Sequence, residues 1–168
     1  MNSLNTLKIQ KAKSADAKKV APLFDLYRQF YNRPSDLAAA EQFLSERLSS
    51  DDSVVLWASD EVKAFGFVQL YPSFSSLSMQ RLWILNDLFV LPECRRNSVG
   101  RQLLQAAVLF ARESKARGLT LKTALDNQAA QNLYSSLGWK KDERYYSFDF
   151  SLSELETHSE VNVGIKPL

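Results

Sequence analysis

One segment of this chain, residues 88–104 (LFVLPECRRNSVGRQLL), constrains the possible folds more than any other. It begins with an apolar strand pattern that ends at Pro92, continues as a short basic turn, and opens into a helical pattern at about Ser98. Proline has no amide to donate to a central strand, so the strand has to end there. A buried strand that passes straight into an amphipathic helix is typical of folds in which helices cover a sheet.

The rest of the chain continues this succession of strand and helix patterns. Period-two and β-branched patterns indicate strands, and apolar residues at helical spacing indicate helices. We predict strands over residues 7–12, 53–58, 64–71, 80–91, 119–124 and within 139–150, and helices between Asp16 and Pro34 and over residues 37–48, 98–117 and 126–137. The order β-α-α-β-β-β-α-β-α-β predicts an α/β sandwich with a mixed sheet.

Local signals place the ends of several elements. Gly118 is expected as the left-handed residue that ends the third helix, and Gly138 is expected to end the fourth. Residues 72–78 predict a loop between two strands. We predict a single domain over residues 1–152, followed by a polar tail over residues 153–168.

The rare residue types exclude several kinds of site. The 168 residues include one cysteine, Cys94, and one histidine, His158, so a Cys/His zinc site, a disulfide framework and a CxxC pair cannot be assembled. A Ser-His-Asp or Cys-His mechanism would need His158, which lies in the polar tail. The closest two of the five glycines, Gly100 and Gly118, are 18 positions apart, which excludes the Rossmann and P-loop fingerprints.

Charge and hydropathy narrow the expected partners and compartment. The formal net charge of +2 argues against nucleic acid as the main partner. No apolar run approaches the ~20 residues that span a bilayer, so no membrane partner is expected. The first residues lack the basic start and long apolar stretch of a signal peptide. With so little cysteine, the cytoplasm is the expected compartment.

The turn after Pro92 has the composition of an anion site. Free amides and a partial positive charge at a helix N-terminus attract phosphate, and Arg95, Arg96 and Arg101 surround this one. A basic loop at a solvated helix start would have the same composition. On the residues alone, the two interpretations are equally supported.

Two motifs resemble those of the GNAT family of N-acetyltransferases. Residues 95–100 (RRNSVG) match the family's pyrophosphate motif, [Q/R]-x-x-G-x-[G/A], with Ser98 where the first glycine is usual. Residues 127–139 (NQAAQNLYSSLGW) match a second motif, N-x-x-A-x-x-L-Y-x-x-x-G-[F/W]. With the strand order, the resemblance covers about residues 7–150 and implies a mixed, mostly antiparallel, twisted sheet. Helices would cover both faces, and pantetheine would occupy a cleft between splayed central strands.

The resemblance implies acetyl-CoA as co-substrate and no metal. Pantetheine would lie beside the strand before Pro92, where the amides of Leu88 and Val90 would bind the acetyl carbonyl and the pantetheine arm, and the Leu88 amide would also face the oxyanion. Asn127 would contact the pantetheine amides, cap its helix, or do both. The pyrophosphate would be held by the turn residues Arg95, Arg96, Asn97, Ser98, Val99, Gly100 and Arg101.

Tyr134 is the predicted general acid. The resemblance implies that this tyrosine protonates the departing CoA thiolate, and a phenol with a pKa near 10 can donate to a thiolate with a pKa of ~8.5. The alternative is a helix tyrosine whose ring packs on the sheet.

The base that deprotonates the acceptor is not evident from the residues. Residues 85–90 (LNDLFV) resemble the L-E-D-x-F-V strand of polyamine and small histone acetyltransferases, in which the glutamate is a proposed base. Asn86 occupies that position and cannot take a proton, and strand alternation places Asp87 on the opposite face. We therefore expect proton loss through ordered water, helped by Asn86 or by a carboxylate such as Glu41.

The acceptor is expected to meet the first two helices and the loop at residues 72–78. Tyr27, Phe30 and Tyr31 are spaced so that they could form an aromatic wall for a cationic amine. The same spacing is typical of a helix face in the core, and we predict that Phe30 is a core residue.

The leading hypothesis is an N-acetyltransferase that transfers the acetyl group of acetyl-CoA to a primary amine, polyamine-like or on a protein, by direct attack through a tetrahedral intermediate. The rival is a catalytically silent acetyl-CoA-binding module that acts as a sensor or regulator. Asn86 and Ser98 favour the rival, whereas Tyr134 favours the enzyme. The resemblance also implies a homodimer that pairs through its C-terminal strands.

Overall fold

The computed structural model describes residues 7–60 and 63–152, and its elements follow the predicted order as far as the fourth helix. The five strands are β1 (Lys8–Lys11), β2 (Val54–Ser59), β3 (Ala64–Ser75), β4 (Gln80–Val90) and β5 (Gly118–Thr120). The four α-helices are α1 (Ala17–Phe30), α2 (Leu37–Ser49), α3 (Val99–Glu113) and α4 (Gln128–Ser136), with short 3₁₀ turns at Ser14–Asp16 and Pro92–Cys94. The predicted tail at residues 153–168, including His158, lies outside the described residues.

The strands form one sheet in the order β1-β2-β3-β4-β5. The first four strands are antiparallel to their neighbours, and β5 runs parallel to β4. The parallel pair follows from the connection through α3, because parallel neighbours need a crossover of this length. The predicted mixed, mostly antiparallel sheet is confirmed.

Helices cover both faces of this sheet and bury one core on each side. On one face, α1 packs Phe24 and Tyr27 against Phe67 of β3, with ring centroids 6.0 and 6.1 Å apart. On the other face, Phe110 of α3 packs on Trp83 of β4 at 5.1 Å. Since neighbouring strand residues point to opposite faces, the central strands β2, β3 and β4 supply buried side chains to both faces of the sheet.

The hairpin of β3 and β4 is longer than predicted. Residues 72–75, predicted as loop, continue β3 and pair with residues 80–83 of β4, with Pro72 opposite Trp83 and Ser75 opposite Gln80. The turn itself is confined to residues 76–79. The proline suggested a break, but a proline is tolerated in a strand where its missing amide would not enter the ladder.

The end of α3 corrects the prediction for Gly118. The helix ends at Glu113 rather than at Arg117, and Gly118 begins β5. The left-handed residue after the helix is Lys115, with φ at 55°. A lysine can occupy this conformation at a modest energetic cost, so the glycine was a misleading signal.

The last predicted strand is not formed. Residues 139–151 have no assigned strand, and the alternating aromatic side chains of Tyr146, Phe148 and Phe150 are exposed to solvent. The predicted strand at residues 119–124 is likewise reduced to Gly118–Thr120. A strand exists only when a neighbour accepts its hydrogen bonds, and alternation in the sequence cannot supply that neighbour.

Within the described residues, no helix is long and apolar enough to cross a membrane.

Candidate active site

The sheet opens between β4 and β5. These strands pair only where Leu82–Ile84 face Gly118–Thr120. Beyond Thr120 the chain leaves the sheet, so within the described residues no strand pairs with this edge of β4 over residues 85–90. The result is a cleft bordered by main-chain groups of a central strand that face no neighbouring strand.

The hydrogen-bond pattern of β4 directs two amides into that cleft. The Leu91 amide donates to the Phe65 carbonyl at 2.9 Å, which makes this a hydrogen-bonded pair facing β3. Hydrogen-bonded and non-hydrogen-bonded pairs alternate along an antiparallel ladder. The amides of Leu88 and Val90 are therefore directed away from β3, at the edge where the sheet is open.

The turn between β4 and α3 has an unusual backbone. Arg96 and Ser98 both have left-handed φ angles, of 63° and 61°. Successive amides in such alternating conformations form a concave nest that binds anions. Ser98 is also the N-cap of α3, its side chain makes no capping bond, and the first amides of the helix follow directly. The left-handed φ at Ser98 explains physically why glycine suits this position.

Two of the three arginines at this turn are held by protein groups. Arg95 Nε donates to the Val90 carbonyl at 3.1 Å, and Arg101 donates to Ser136 Oγ at 2.9 Å. Arg96 and Asn97 are exposed at the same turn. Because Ser136 belongs to α4, the Arg101 bond also joins the starting turn of α3 to the end of α4.

Val99 contributes its backbone to the turn, and Gly100 contributes space for the packing of two helices. The Val99 side chain is buried in the core, so only its backbone can face an anion at the turn. A Cβ atom on Gly100 would lie 3.3 Å from Leu133 Cδ2 of α4 and 3.7 Å from Val90 Cγ2. Gly100 therefore permits the close packing of α3 against α4 beside the cleft.

The second motif forms α4 as predicted. Asn127 is its N-cap, and the Asn127 side chain accepts a hydrogen bond of 3.2 Å from the Ala130 amide. Tyr134 is half-buried and its ring packs against Trp139 with centroids 5.9 Å apart. Burial, with a smaller effect of Tyr31, raises the pKa of Tyr134. Its phenol thus stays protonated, as a proton donor must.

Asn86 and Asp87 lie at an irregularity in β4. The register with β3 shifts between Gln69 and Leu70, so Asn86 has no partner residue and forms a bulge. Asn86 is exposed, and its amide donates to Asp87 at 3.1 Å. Asp87 itself is only 4% exposed. Burial raises the pKa of Asp87, and hydrogen bonds from Tyr27 and Asn86 oppose that rise.

The structure brings Asp87 next to α1, a contact that sequence reasoning missed. Alternation predicted that Asp87 turns to the face opposite Asn86. In the structure the Asn86 side chain bonds to the Asp87 carboxylate at the bulge, and Asp87 lies on the face that carries Tyr27. Burial is the largest cause that raises the pKa of Tyr27, followed by the charge of Asp87 and a hydrogen bond with it. An acidic residue inside an otherwise apolar strand pattern was the only available signal.

The three aromatic residues of the predicted wall differ in burial. Tyr27 is half-buried, and its ring packs on Phe89 at 6.4 Å and on Tyr31 at 5.1 Å. Tyr31 is 50% exposed. The prediction that Phe30 is a core residue is wrong, because Phe30 is 58% exposed. Glu41 is exposed on α2, and no contact places it at the cleft.

Comparison with known proteins agrees with this geometry. The sequence pattern of the acetyltransferase (GNAT) family matches residues 20–139. An uncharacterized N-acetyltransferase YhfO of Bacillus subtilis (strain 168) is 45% identical over 142 residues, which cover 84% of this chain and 95% of that protein. A probable acetyltransferase of Haemophilus influenzae is 34% identical, with 88% of this chain and 99% of that protein covered.

A solved structure extends the agreement to three dimensions. The crystal structure of a probable acetyltransferase has a TM-score of 0.81 and 39% identity, covering 86% of this chain and 97% of that one. Members of the family use acetyl-CoA as the acyl donor. The open sheet, the nest at the start of α3 and the α4 motif thus occur in a chain that belongs to the GNAT family of N-acetyltransferases.

Proposed function

We propose that this chain transfers the acetyl group of acetyl-CoA to a primary amine on a small cationic molecule or a protein, by direct attack of the amine on the thioester. The observation that carries this proposal is the position of the cleft. The amides of Leu88 and Val90 face the open edge of β4, and that strand leads directly into the nest at Arg96 and Ser98. A thioester and a pyrophosphate on one extended ligand need such neighbouring donors.

The residues present fit such a ligand. The nest and the starting amides of α3 suit a pyrophosphate, with Arg96 and Asn97 exposed beside it. The Leu88 amide would donate to the acetyl oxygen as negative charge develops there. Acetyl-CoA would supply an activated acyl group, and the protein's part is to orient it and to manage protons.

Tyr134 is the proposed proton donor to the departing thiolate. It lies on α4, which packs against the start of α3 through Leu133 and the Arg101–Ser136 bond. Its partial burial keeps the phenol protonated while leaving it reachable. The side-chain oxygen of Asn127 already accepts the hydrogen bond that caps α4. A contact with the cofactor would therefore use the side-chain amide nitrogen of Asn127.

The acceptor is proposed to be cationic. Tyr31 and Phe30 present exposed rings at the end of α1, packed edge to face with centroids 5.2 Å apart. Aromatic faces of this kind attract ammonium groups. The even charge balance of the chain and its single cysteine favour action in the cytoplasm on a small or protein amine.

The proposal is tested by turnover. Purified protein is incubated with acetyl-CoA and, separately, with spermidine, kanamycin, Nα-acetyl-lysine and an alanine-initiated peptide, and free CoA is measured. We expect CoA release that depends on at least one amine. A rival function, an acetyl-CoA-binding sensor, is favoured by Asn86, which cannot accept a proton. Tight binding of acetyl-CoA without release of CoA on any of these amines would support the rival.

We further propose that the protein acts as a homodimer. In the segment at residues 145–152, apolar and polar side chains alternate from Tyr146 onward, and Tyr146 and Phe148 are 92% and 90% exposed. Large exposed apolar side chains that are grouped in one segment favour an interaction site. A second copy could cover it by strand pairing, since β5 ends the sheet with an open edge.

A further inference from the structure

The bulge in β4 places two polar side chains on one face of the sheet. Trp83 packs on α3, so alternation puts Asn86, three residues later, on the opposite face, which α1 covers. Phe89 packs on Tyr27 of α1, so Asp87, two residues before Phe89, also lies on the α1 face. Asn86 is the extra residue of the bulge, which is why two neighbours in the sequence share a face.

A hydrogen bond fixes the orientation of the Asn86 side chain. Its amide nitrogen donates to the Asp87 carboxylate at 3.1 Å. An ionised carboxylate accepts hydrogen bonds and donates none, so this bond identifies the nitrogen end of the amide and turns the oxygen end away. Asp87 is 4% exposed, whereas Asn86 is exposed. The oxygen of Asn86 is therefore the group that this pair presents to an incoming molecule.

Asn86 lies close to the place where the acyl group is proposed to bind. It precedes Leu88 by two residues on the same strand, a span of about 7 Å. A hydrogen bond of about 3 Å and the length of an asparagine side chain together cover that span. An amine that attacks an acyl group held at the Leu88 amide is thus within reach of Asn86. An amide oxygen accepts a hydrogen bond from an amine, but it does not take up a proton.

We propose that the acceptor is an amine of low basicity, the α-amino group of a peptide or protein, which arrives unprotonated and donates a hydrogen bond to the Asn86 oxygen. The inference rests on the proposed function. A carboxylate in place of Asn86 would take the proton of an ammonium group. With Asn86 there, and with Asp87 buried behind it, the amine loses that proton to solvent before it binds.

The basicity of an amine decides how much of it is ready to react. At pH 7, about a tenth of an α-amino group with a pKa near 8 is unprotonated, against about 0.04% of a lysine side chain with a pKa near 10.4. A site that waits for the unprotonated form therefore favours the α-amino group strongly at neutral pH.

The reaction balances without a basic residue. The lone pair of the unprotonated nitrogen forms the C–N bond, the C–S bond breaks, and its electron pair leaves with sulfur. Attack makes the nitrogen cationic and acidic, so it gives one proton to water. Tyr134 gives one proton to sulfur and regains one from water. An amine and a thioester thus become an amide and a thiol, with no net change in protons.

Ionisation of the acceptor and ionisation of the protein are separable by experiment. Within the described residues, the ionisable groups that face the Asn86–Asp87 pair are Tyr27 of α1 and Tyr71 of β3, with Arg47 and Asp52 beyond Tyr71. A protein group that titrates bends the pH profile at the same pH for every acceptor. Ionisation of the acceptor bends the profile at the pKa of each amine.

The experiment compares acceptors of different basicity. Nα-acetyl-lysine presents a side-chain amine with a pKa near 10.4, and short lysine-free peptides that begin with different residues present α-amino groups with a pKa near 8. CoA release is measured with each acceptor from pH 7 to pH 9.5, and release without enzyme is subtracted.

We expect the wild type to acetylate at least one of the peptides faster than Nα-acetyl-lysine at pH 7. For that peptide, log kcat/KM should rise with a slope of about one and level off near pH 8, whereas for Nα-acetyl-lysine it should rise throughout the range. The preference for the peptide should therefore fall about 30-fold between pH 7 and pH 9.5.

Asn86→Glu and Asn86→Gln form a matched pair, because the two new side chains have the same length and only the first can take a proton. Asn86 is exposed, so neither replacement disturbs the core. With Nα-acetyl-lysine, Asn86→Glu should exceed Asn86→Gln by about tenfold or more in kcat/KM at pH 7 and show a flatter profile, as gain of a general base requires. Acetyl-CoA affinity, measured by calorimetry, should be equal in the two variants.

Four results overturn the inference, and they differ from failure of the proposed function. A wild type with a flat profile for Nα-acetyl-lysine has a base, and one that acetylates spermidine or kanamycin but none of the peptides has another acceptor. A bend at the same pH for both acceptors assigns the bend to the protein. Equal profiles for Asn86→Glu and Asn86→Gln separate Asn86 from the acceptor. An inactive wild type that still binds acetyl-CoA rejects the proposed function, and the inference with it.

Discussion

Ser98 stands where the motif usually has glycine, and the turn nevertheless keeps the backbone conformation of the motif. Its φ of 61° lies in the left-handed region, and its hydroxyl makes no capping bond to α3. An L-residue there carries a conformational cost that glycine avoids. The turn nevertheless keeps the concave arrangement of amides, since the left-handed Arg96 and Ser98 alternate with Asn97, which is not left-handed.

Ser98→Gly is expected to raise the free energy of unfolding by about 0.5–1 kcal/mol, the relief of strain less the added entropy of the unfolded chain. It should keep activity and tighten CoA binding, because no Cβ lies beside the phosphates. Urea unfolding and calorimetry with CoA measure both effects. Ser50→Gly is the control, because Ser50 has a φ of −85° and gains nothing from glycine. Weaker CoA binding by Ser98→Gly would assign a ligand contact to the serine hydroxyl.

Tyr134 is the residue on which the proposed chemistry depends most directly. Tyr134→Phe keeps the ring against Trp139 but removes the proton donor. We expect kcat to fall about 10²-fold with KM for acetyl-CoA unchanged. The loss should be smaller for acyl donors whose thiol leaves more readily. Tyr71→Phe, at a half-buried tyrosine of β3, serves as control. A folded, saturated Tyr134→Phe variant with the wild-type kcat would leave the tyrosine as a packing residue.

At the scale of elements, the four α-helices within residues 7–60 and 63–152 all end in the same way. Each has a left-handed residue after its C-cap, and these residues are Asn32, Asp51, Lys115 and Gly138. At α3, Ala116 donates to the Ala111 carbonyl and Lys115 to the Arg112 carbonyl, which is the Schellman pattern. Only one of these four residues, Gly138, is a glycine. Glycines in the sequence therefore predicted only one helix end correctly.

Lys115→Gly is expected to stabilise the fold by about 0.5–1 kcal/mol, since the left-handed residue then carries no Cβ. Gly138→Ala should destabilise it by about 1–2 kcal/mol: φ is 83° there, and a Cβ would meet no atom within 4 Å, so the effect is purely conformational. Gly118→Ala should not destabilise, because Gly118 lies in β5 with open space around it. Thermal and urea unfolding compare the three variants, and a destabilised Gly118→Ala would contradict the helix end described above.

At the scale of the whole molecule, the two faces of the sheet carry different functional groups. The α3 face carries the turn that suits an anion, and the α1 face carries the buried Asp87 with its tyrosines. The open edge of β4 separates the two. The exposed aromatic segment at residues 145–152 lies outside both cores and is the part of the chain that a second copy would complete.

The double variant Tyr146→Ser/Phe148→Ser is expected to shift the protein from dimer to monomer. Each aromatic ring contributes a large apolar area to an interface, and loss of about 2 kcal/mol at such a position raises the dimer Kd about 30-fold. Light scattering coupled to size-exclusion chromatography, over a range of concentrations, measures the mass. Leu77→Ser, at a highly exposed hairpin residue, is the control. A wild type that is monomeric at all concentrations would contradict the dimer.

The local sequence determined the family, the order of the elements and the positions of the two motifs. A turn rich in arginine before a helix, and an asparagine cap followed by a tyrosine, depend on neighbours within a few residues, so Arg96, Asn127 and Tyr134 could be placed from the sequence alone. Tertiary structure decided whatever depends on distant partners. It limited β5 to three residues, left the aromatic C-terminal segment without a neighbouring strand, and placed Asp87 beneath Tyr27, across a bulge that alternation cannot anticipate. Strand pairing and burial join residues far apart in the chain, and no local pattern specifies those contacts.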